Sequence, residues 1–224
     1  MREIVLDTET TGLDPNAGHR VVEIACVELM NRVPTGKSLQ MYLNPQRDMP
    51  EEAFRVHGLS ADFLSKHKTF ADEAERFIEF IGDAGFVIHN AEFDLKFLNW
   101  ELRNIGRGDL STHGVVDTVL LARKKFPGAP ASLDALCRRF GIDNSARTVH
   151  GALLDAELLA DVYLELMGGR QTALGFSAAV QAAQTGQRPR EREAREARPH
   201  APSEEELARH SAFVGRIKES IWNV

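Results

Sequence analysis

Two apolar triplets, Ile4-Val5-Leu6 and Phe86-Val87-Ile88, each run straight into acidic residues, and this constrains the chain more than any other feature. The first leads into Asp7-Thr8-Glu9-Thr10-Thr11-Gly12, the second into His89-Asn90-Ala91-Glu92-Phe93-Asp94. A third acidic segment, His150-Gly151-Ala152-Leu153-Leu154-Asp155, opens a helical pattern. Short apolar runs bounded by turn signals read as buried strands. An unpaired carboxylate at the end of such a strand is costly to desolvate, and several together repel one another unless cations lie among them. The fold must therefore gather these segments where a counter-charge can reach them.

Residues 2–7, 20–29 and 36–43 read as three strands of an N-terminal meander, and 50–56, 60–64 and 69–81 as helices. In the last of these Phe70, Ala74, Phe77, Ile78 and Ile81 keep helical spacing behind Thr69, a good N-cap. A strand at 85–89, a helix over 91–104 and a short strand at 115–117 follow. Helices near 118–125 and 132–140 precede one from about 151 to 167 that stops at Gly168-Gly169. Strands first and helices interleaved later predict a mixed α/β domain over residues 1–170.

Composition changes after Gly169. Residues 177–202 hold Ala, Gln, Arg, Glu and Pro with almost no large apolar side chain, which predicts a flexible linker. Its glutamates cancel most of its basic charge, which argues against a DNA-binding arm. From Ser203 to Val224 the pattern is helical again, with Ser203 and Glu206 at capping-box spacing. Leu207, Val214, Ile217 and Ile221 share a face, with Phe213 and Trp222 beside it. A lone amphipathic helix is marginal in water, so this one is expected to dock on another protein.

With 43% hydrophobic and 27% charged residues, the chain of 224 has an ordinary globular composition. It holds no run of about 18 apolar residues, so no membrane span is expected. Met1-Arg2-Glu3-Ile4 has no signal-peptide architecture. Cys26 and Cys137 lie in apolar stretches without metal-type spacing and read as buried hydrophobes. A cytoplasmic protein is the expectation. The net charge of −6 argues against a broad basic surface for nucleic acid, so any grip on DNA should be local or supplied by a partner.

Asp7 and Glu9 are two apart on a strand and face the same way, so they can share one divalent cation. Hard oxygen donors without cysteine favour Mg²⁺ or Mn²⁺ over zinc. Asp94 and Asp155 would complete the set. A pair of cations about 3.5–4 Å apart stabilises the attacking and leaving oxygens of a displacement at phosphorus. His150, five residues before Asp155, must lie on the loop ahead of the helix, where its imidazole can act as general base. Singly, each residue has a plain structural reading: a strand-end turn, a first-turn acid favoured by the helix dipole, a surface histidine. Their joint occurrence, each beside an apolar element, argues for a two-metal phosphodiesterase.

These segments closely resemble the three motifs of the DEDDh superfamily of 3′→5′ exonucleases, over about residues 1–170. Ser132-Leu133-Asp134-Ala135-Leu136-Cys137 and residues 143–156 are similar to the proofreading members that serve bacterial replicases. The resemblance implies a ribonuclease-H-like fold with a mixed sheet flanked by helices. By matching positions it implies Asp7, Glu9, Asp94 and Asp155 as metal ligands, His150 as general base, and removal of mispaired 3′-terminal nucleotides as 5′-monophosphates. It also implies contacts to the terminal nucleotide from Asp7, Thr8, Glu9, Thr10, Glu52, His57 and Asp155, with Thr11 nearby. Helix-end capping is the structural alternative for His57, and Asp117 receives no metal role. Residues 171–176 resemble a sliding-clamp-binding peptide anchored by Gln171, Leu174 and Phe176, and residues 203–224 would then dock on the polymerase subunit. The nearest rival is a free-standing exonuclease acting on RNA ends or oligonucleotides. A non-catalytic bridge between clamp and polymerase is a more distant one.

Overall fold

The computed structural model describes residues 1–147, 149–169 and 201–217. The chain divides into two units, Met1–Leu174 and Gly175–Val224. The first is built on a five-stranded sheet ordered β3-β2-β1-β4-β5. Its strands are β1 (Arg2–Thr10), β2 (Val21–Met30), β3 (Val33–Tyr42), β4 (Gly85–Ile88) and β5 (Val115–Asp117). β2 runs antiparallel to β1 and β3, whereas β4 is parallel to β1 and β5.

β1 is central because both its faces are apolar. Ile4 and Leu6 enter a core with Ile24, Phe77, Phe86, Ile88 and Phe97, on the side covered by α3 (Phe70–Ile81) and α4 (Ala91–Asn104). Val5 enters the other core with Ala25, Val87, Leu136, Leu159 and Val162. That side is covered by α5 (Thr118–Lys125), α6 (Leu133–Phe140) and α7 (Ala152–Leu166). Two short helices, α1 (Glu51–His57) and α2 (Ala61–Leu64), link β3 to α3. Cys26 and Cys137 are free and buried, as expected.

Strand and helix ends correct three of the expected boundaries. β1 does not stop at Asp7 but continues to Thr10, because β2 goes on pairing with it through Glu9–Glu23. β3 starts at Val33 rather than Gly36: Asn31 and Arg32, both left-handed at φ 52 and 68, form a two-residue hairpin turn that brings Val33 opposite Met30. In the second unit the helix expected over 203–224 is, among the described residues, α8, Glu204–Val214, with Gly215, a poor helix former, at its C-cap; residues 218–224 lie outside them. Its capping box is present, with Ser203 and Glu206 bonded reciprocally. Leu207, Phe213 and Ile217 are exposed and Val214 is buried. Gln171, Leu174, Phe176, Ile221, Trp222 and most of the 177–202 segment lie outside the described residues.

Candidate active site

The parallel pairing of β1 with β4 ends at Leu6–Ile88, one residue before Asp7. The chain then leaves β4 through Asn90, left-handed at φ 67, and enters α4. Of the parallel strands only β1 runs on, still paired with β2, so its acids stand at the carboxyl ends of the parallel strands, where α/β sheets place their ligands. Asp7 and Glu9 project from β1 toward the α7 side, sharing the parity of Val5. Asp155 meets them from the first turn of α7, buried. Asp94, in the first turn of α4, comes from the opposite side of the sheet and is buried as well. Thr8, of opposite parity to Asp7, donates its hydroxyl to Asp94 Oδ1 at 2.7 Å. His150 is half-exposed on the loop before α7, as its spacing required, and its Nδ1 is 3.5 Å from Asp155 Oδ2.

The electrostatics follow from this crowding. Burial, then the charges of Asp94, Glu9, Asp155 and Glu23, hold the Asp7 carboxyl well above the usual range. Burial also pushes Glu9 up to about 8, with Glu23, Asp155 and Asp94 adding to it and Arg147 opposing. Asp94 rises to about 7, chiefly by burial, against the hydrogen bond from Thr8. Ligand atoms of Glu9, His150 and Asp155 lie within 4.8 Å of one another. Hard oxygen donors converging under mutual repulsion fit a divalent cation, which would relieve the strain that lifts these pKa values.

The expected nucleotide-contacting residues divide. Glu52 is exposed and lines a cleft of about 470 Å³ with Thr11, Gly12, His19, Pro50 and Val56. A Cβ on Gly12 would press on the His19 ring, which would have to shift. His57 is buried, and its Nδ1 accepts from the Leu59 N–H at 3.0 Å, which ties down the chain just past α1. Burial lowers its pKa, with the Thr10 backbone opposing. The Thr10 hydroxyl donates to the Gly12 carbonyl at 2.6 Å. Asp117 caps α5 by accepting from the Val119 and Leu120 N–H groups, and takes the Ala91 N–H of α4 at 3.0 Å. His89 Nδ1 lies 2.9 Å from Thr118 Oγ1, shaping the turn before Asp94.

Two participants were missed by sequence reasoning. Glu23, opposite Glu9 on β2, is buried and accepts from Gln40 Nε2 at 2.7 Å and from the Ala152 N–H at 3.2 Å. It thus pins the amino end of the helix that carries Asp155. Its only signal was an acid inside the apolar run Val21-Val22-Glu23-Ile24. Arg147 forks onto Asp155 through Nε at 2.5 Å and Nη2 at 2.7 Å, and that contact raises its own pKa further. A lone arginine in a polar loop gave no sign of this.

A family model described as Exonuclease (RNase_T) matches residues 4–163. The DNA polymerase III subunit epsilon of Rickettsia conorii (strain ATCC VR-613 / Malish 7) is 49% identical over 99% of both chains. That of Escherichia coli (strain K12) is 45% identical over 97% of this chain and 94% of its own. Among solved structures, exonuclease X in complex with 5′ overhanging duplex DNA superposes with a TM-score of 0.58 at 23% identity, covering 74% of this chain and 90% of the other. At that identity it supports the shared fold alone. Matched along nearly its whole length, the chain belongs to the exonuclease family and, within it, to the DNA polymerase III epsilon subunits.

Proposed function

We propose that this chain is a divalent-cation-dependent 3′→5′ exonuclease that proofreads DNA as a subunit of a replicative polymerase, releasing mispaired 3′-terminal nucleotides as 5′-monophosphates. The observation that carries this reading is the convergence of Asp7, Glu9, Asp94 and Asp155 at one strand end, three of them with raised pKa values, beside a half-exposed His150. Asp7, Glu9, Asp94 and Asp155 would hold two cations, Mg²⁺ or Mn²⁺, which neutralise the phosphodiester and the charge that develops on it. His150 takes the proton of the attacking water on a ring nitrogen. Thr8 keeps Asp94 in place and ionisable. Glu52, in its cleft, is suited to accept from the terminal 3′-hydroxyl, and His57 and Thr10 are assigned to the same nucleotide by the matching positions.

Selectivity comes from fraying, since a mispaired end unstacks more cheaply than a paired one. The relatives are named as subunits of DNA polymerase III, and the tail supports the same role here. Gln171, Leu174 and Phe176 would engage the sliding clamp. Leu207, Phe213, Val214, Ile217, Ile221 and Trp222 would engage the polymerase catalytic subunit, in the bacterial cytoplasm at the replication fork. Tethering raises the effective concentration of the 3′ end, which suits a chain of net charge −6. The test is nucleotide release from 3′-labelled single-stranded DNA with Mg²⁺. Asp7→Ala with Glu9→Ala should abolish it while partner binding persists. Unchanged release, or strong preference for a matched RNA strand, rejects the reading.

A further inference from the structure

Resting on that reading of the site, we propose that Arg147 is its resident counter-cation. Before divalent cations bind, its guanidinium occupies Asp155 and parks His150, and cation binding at Asp155 displaces it. The Arg147 side chain is only 10% exposed although it sits on a loop. Both oxygens of Asp155 are taken by its fork. Nη2 also lies 2.9 Å from His150 Nδ1. A guanidinium can only donate, so Nδ1 must accept and the neutral ring carries its proton on Nε2. The lone pair that a general base needs is then already engaged. While Arg147 stays, neither Asp155 nor His150 is free for its task.

Arg147 also has somewhere to go. Its Nη1 bonds both oxygens of Asp134 on α6 at 3.1 Å. The Asp134 side chain is 42% exposed, so it offers a wet second seat. Leaving Asp155 therefore does not strand a buried charge, the usual penalty of breaking such a pair. The loop is anchored at both ends. Asn144 Nδ2 donates to Asp134 at 2.9 Å near its start, and the His150 N–H donates to the Val56 carbonyl at 3.0 Å at its end. Arg147 lies between these anchors, and its Nη2 contacts both Asp155 Oδ2 and His150 Nδ1, so its departure frees both.

The experiment is calorimetric titration of the full-length chain with Mn²⁺ alone at pH 8, for the wild type, Arg147→Gln and Arg147→Lys. Removing the competing charge should tighten Mn²⁺ binding about 10-fold or more in Arg147→Gln. Arg147→Lys, charged but unable to fork, should fall between. An arginine that merely orients Asp155 would give the reverse, a loss of about 10–100-fold; that result, or unchanged affinity, overturns the proposal. A second measurement needs no variant. In ¹⁵N spectra of the cation-free wild type, the Arg147 Nε–H should be protected and His150 should be the Nε2–H tautomer. Saturating Mg²⁺ should release both, and unaltered signals overturn the proposal. A wild type that binds no Mn²⁺ overturns the functional reading along with it.

Discussion

Thr8 lies between the two β1 acids yet serves a third, donating to Asp94 from the other side of the strand. A hydrogen bond to a charged group is worth about 1.5–3 kcal/mol. Thr8→Val removes a bond that favours the ionised carboxylate, so the Asp94 pKa should rise beyond about 7. The acid limb of the pH–rate profile should then move to higher pH, with Thr8→Ser restoring it. An unmoved profile would break the link between Thr8 and the chemistry. His150 makes a sharper case, because it stands in one donor group with Glu9 and Asp155. As a general base, its loss in His150→Ala should lower turnover by about 10²–10⁴-fold. Mn²⁺ affinity, read by titration, should stay within a small factor; a parallel collapse would make His150 a ligand instead.

At the scale of elements, the helix caps do more than end helices. Asp117 accepts from two N–H groups of α5 and from the first N–H of α4, the helix that carries Asp94. Losing a cap costs about 1–2 kcal/mol, so Asp117→Ala should lower the melting temperature by about 2–8 °C. Asp117→Asn, which keeps an acceptor, should lose much less. Caps of this kind were legible in the sequence. Thr69, Ser132 and Ser203 announced their helices by residue type and spacing, and each accepts the expected N–H. The hairpin turn was not legible, because Asn31-Arg32 lacks the glycine that usually marks a two-residue loop. Nor was the reach of β1 past Asp7, which depends on pairing with β2 rather than on anything local. The five principal site residues could be named because Asp7, Glu9, Asp94, His150 and Asp155 occur together, each beside an apolar element, although each alone has a plain structural reading. Glu23 and Arg147 could not, since their roles come from partners more than a hundred residues away or on another element.

For the whole molecule, the acids set a distinctive dependence on pH. Asp7, Glu9 and Asp94 have folded-state pKa values raised above their ordinary ones. Their contribution to stability is therefore full below about pH 4 and is lost as pH rises through about 7–8. His57 and His89, lowered by burial, act in the opposite sense and cost stability as pH falls below about 6.5. A plain pH–stability curve mixes the two, but cation binding isolates the first. Bound cations stabilise by mass action, and they do so best where the acids hold no protons. Thermal melting of the whole chain with and without Mn²⁺, at pH 5.5 and pH 8.5, is the direct measurement. Adding Mn²⁺ should raise the melting temperature by several degrees at pH 8.5 and much less at pH 5.5, and should do neither after Asp7→Asn with Glu9→Gln. An equal increase at both pH values, or one that survives those substitutions, would contradict this reading of the acids.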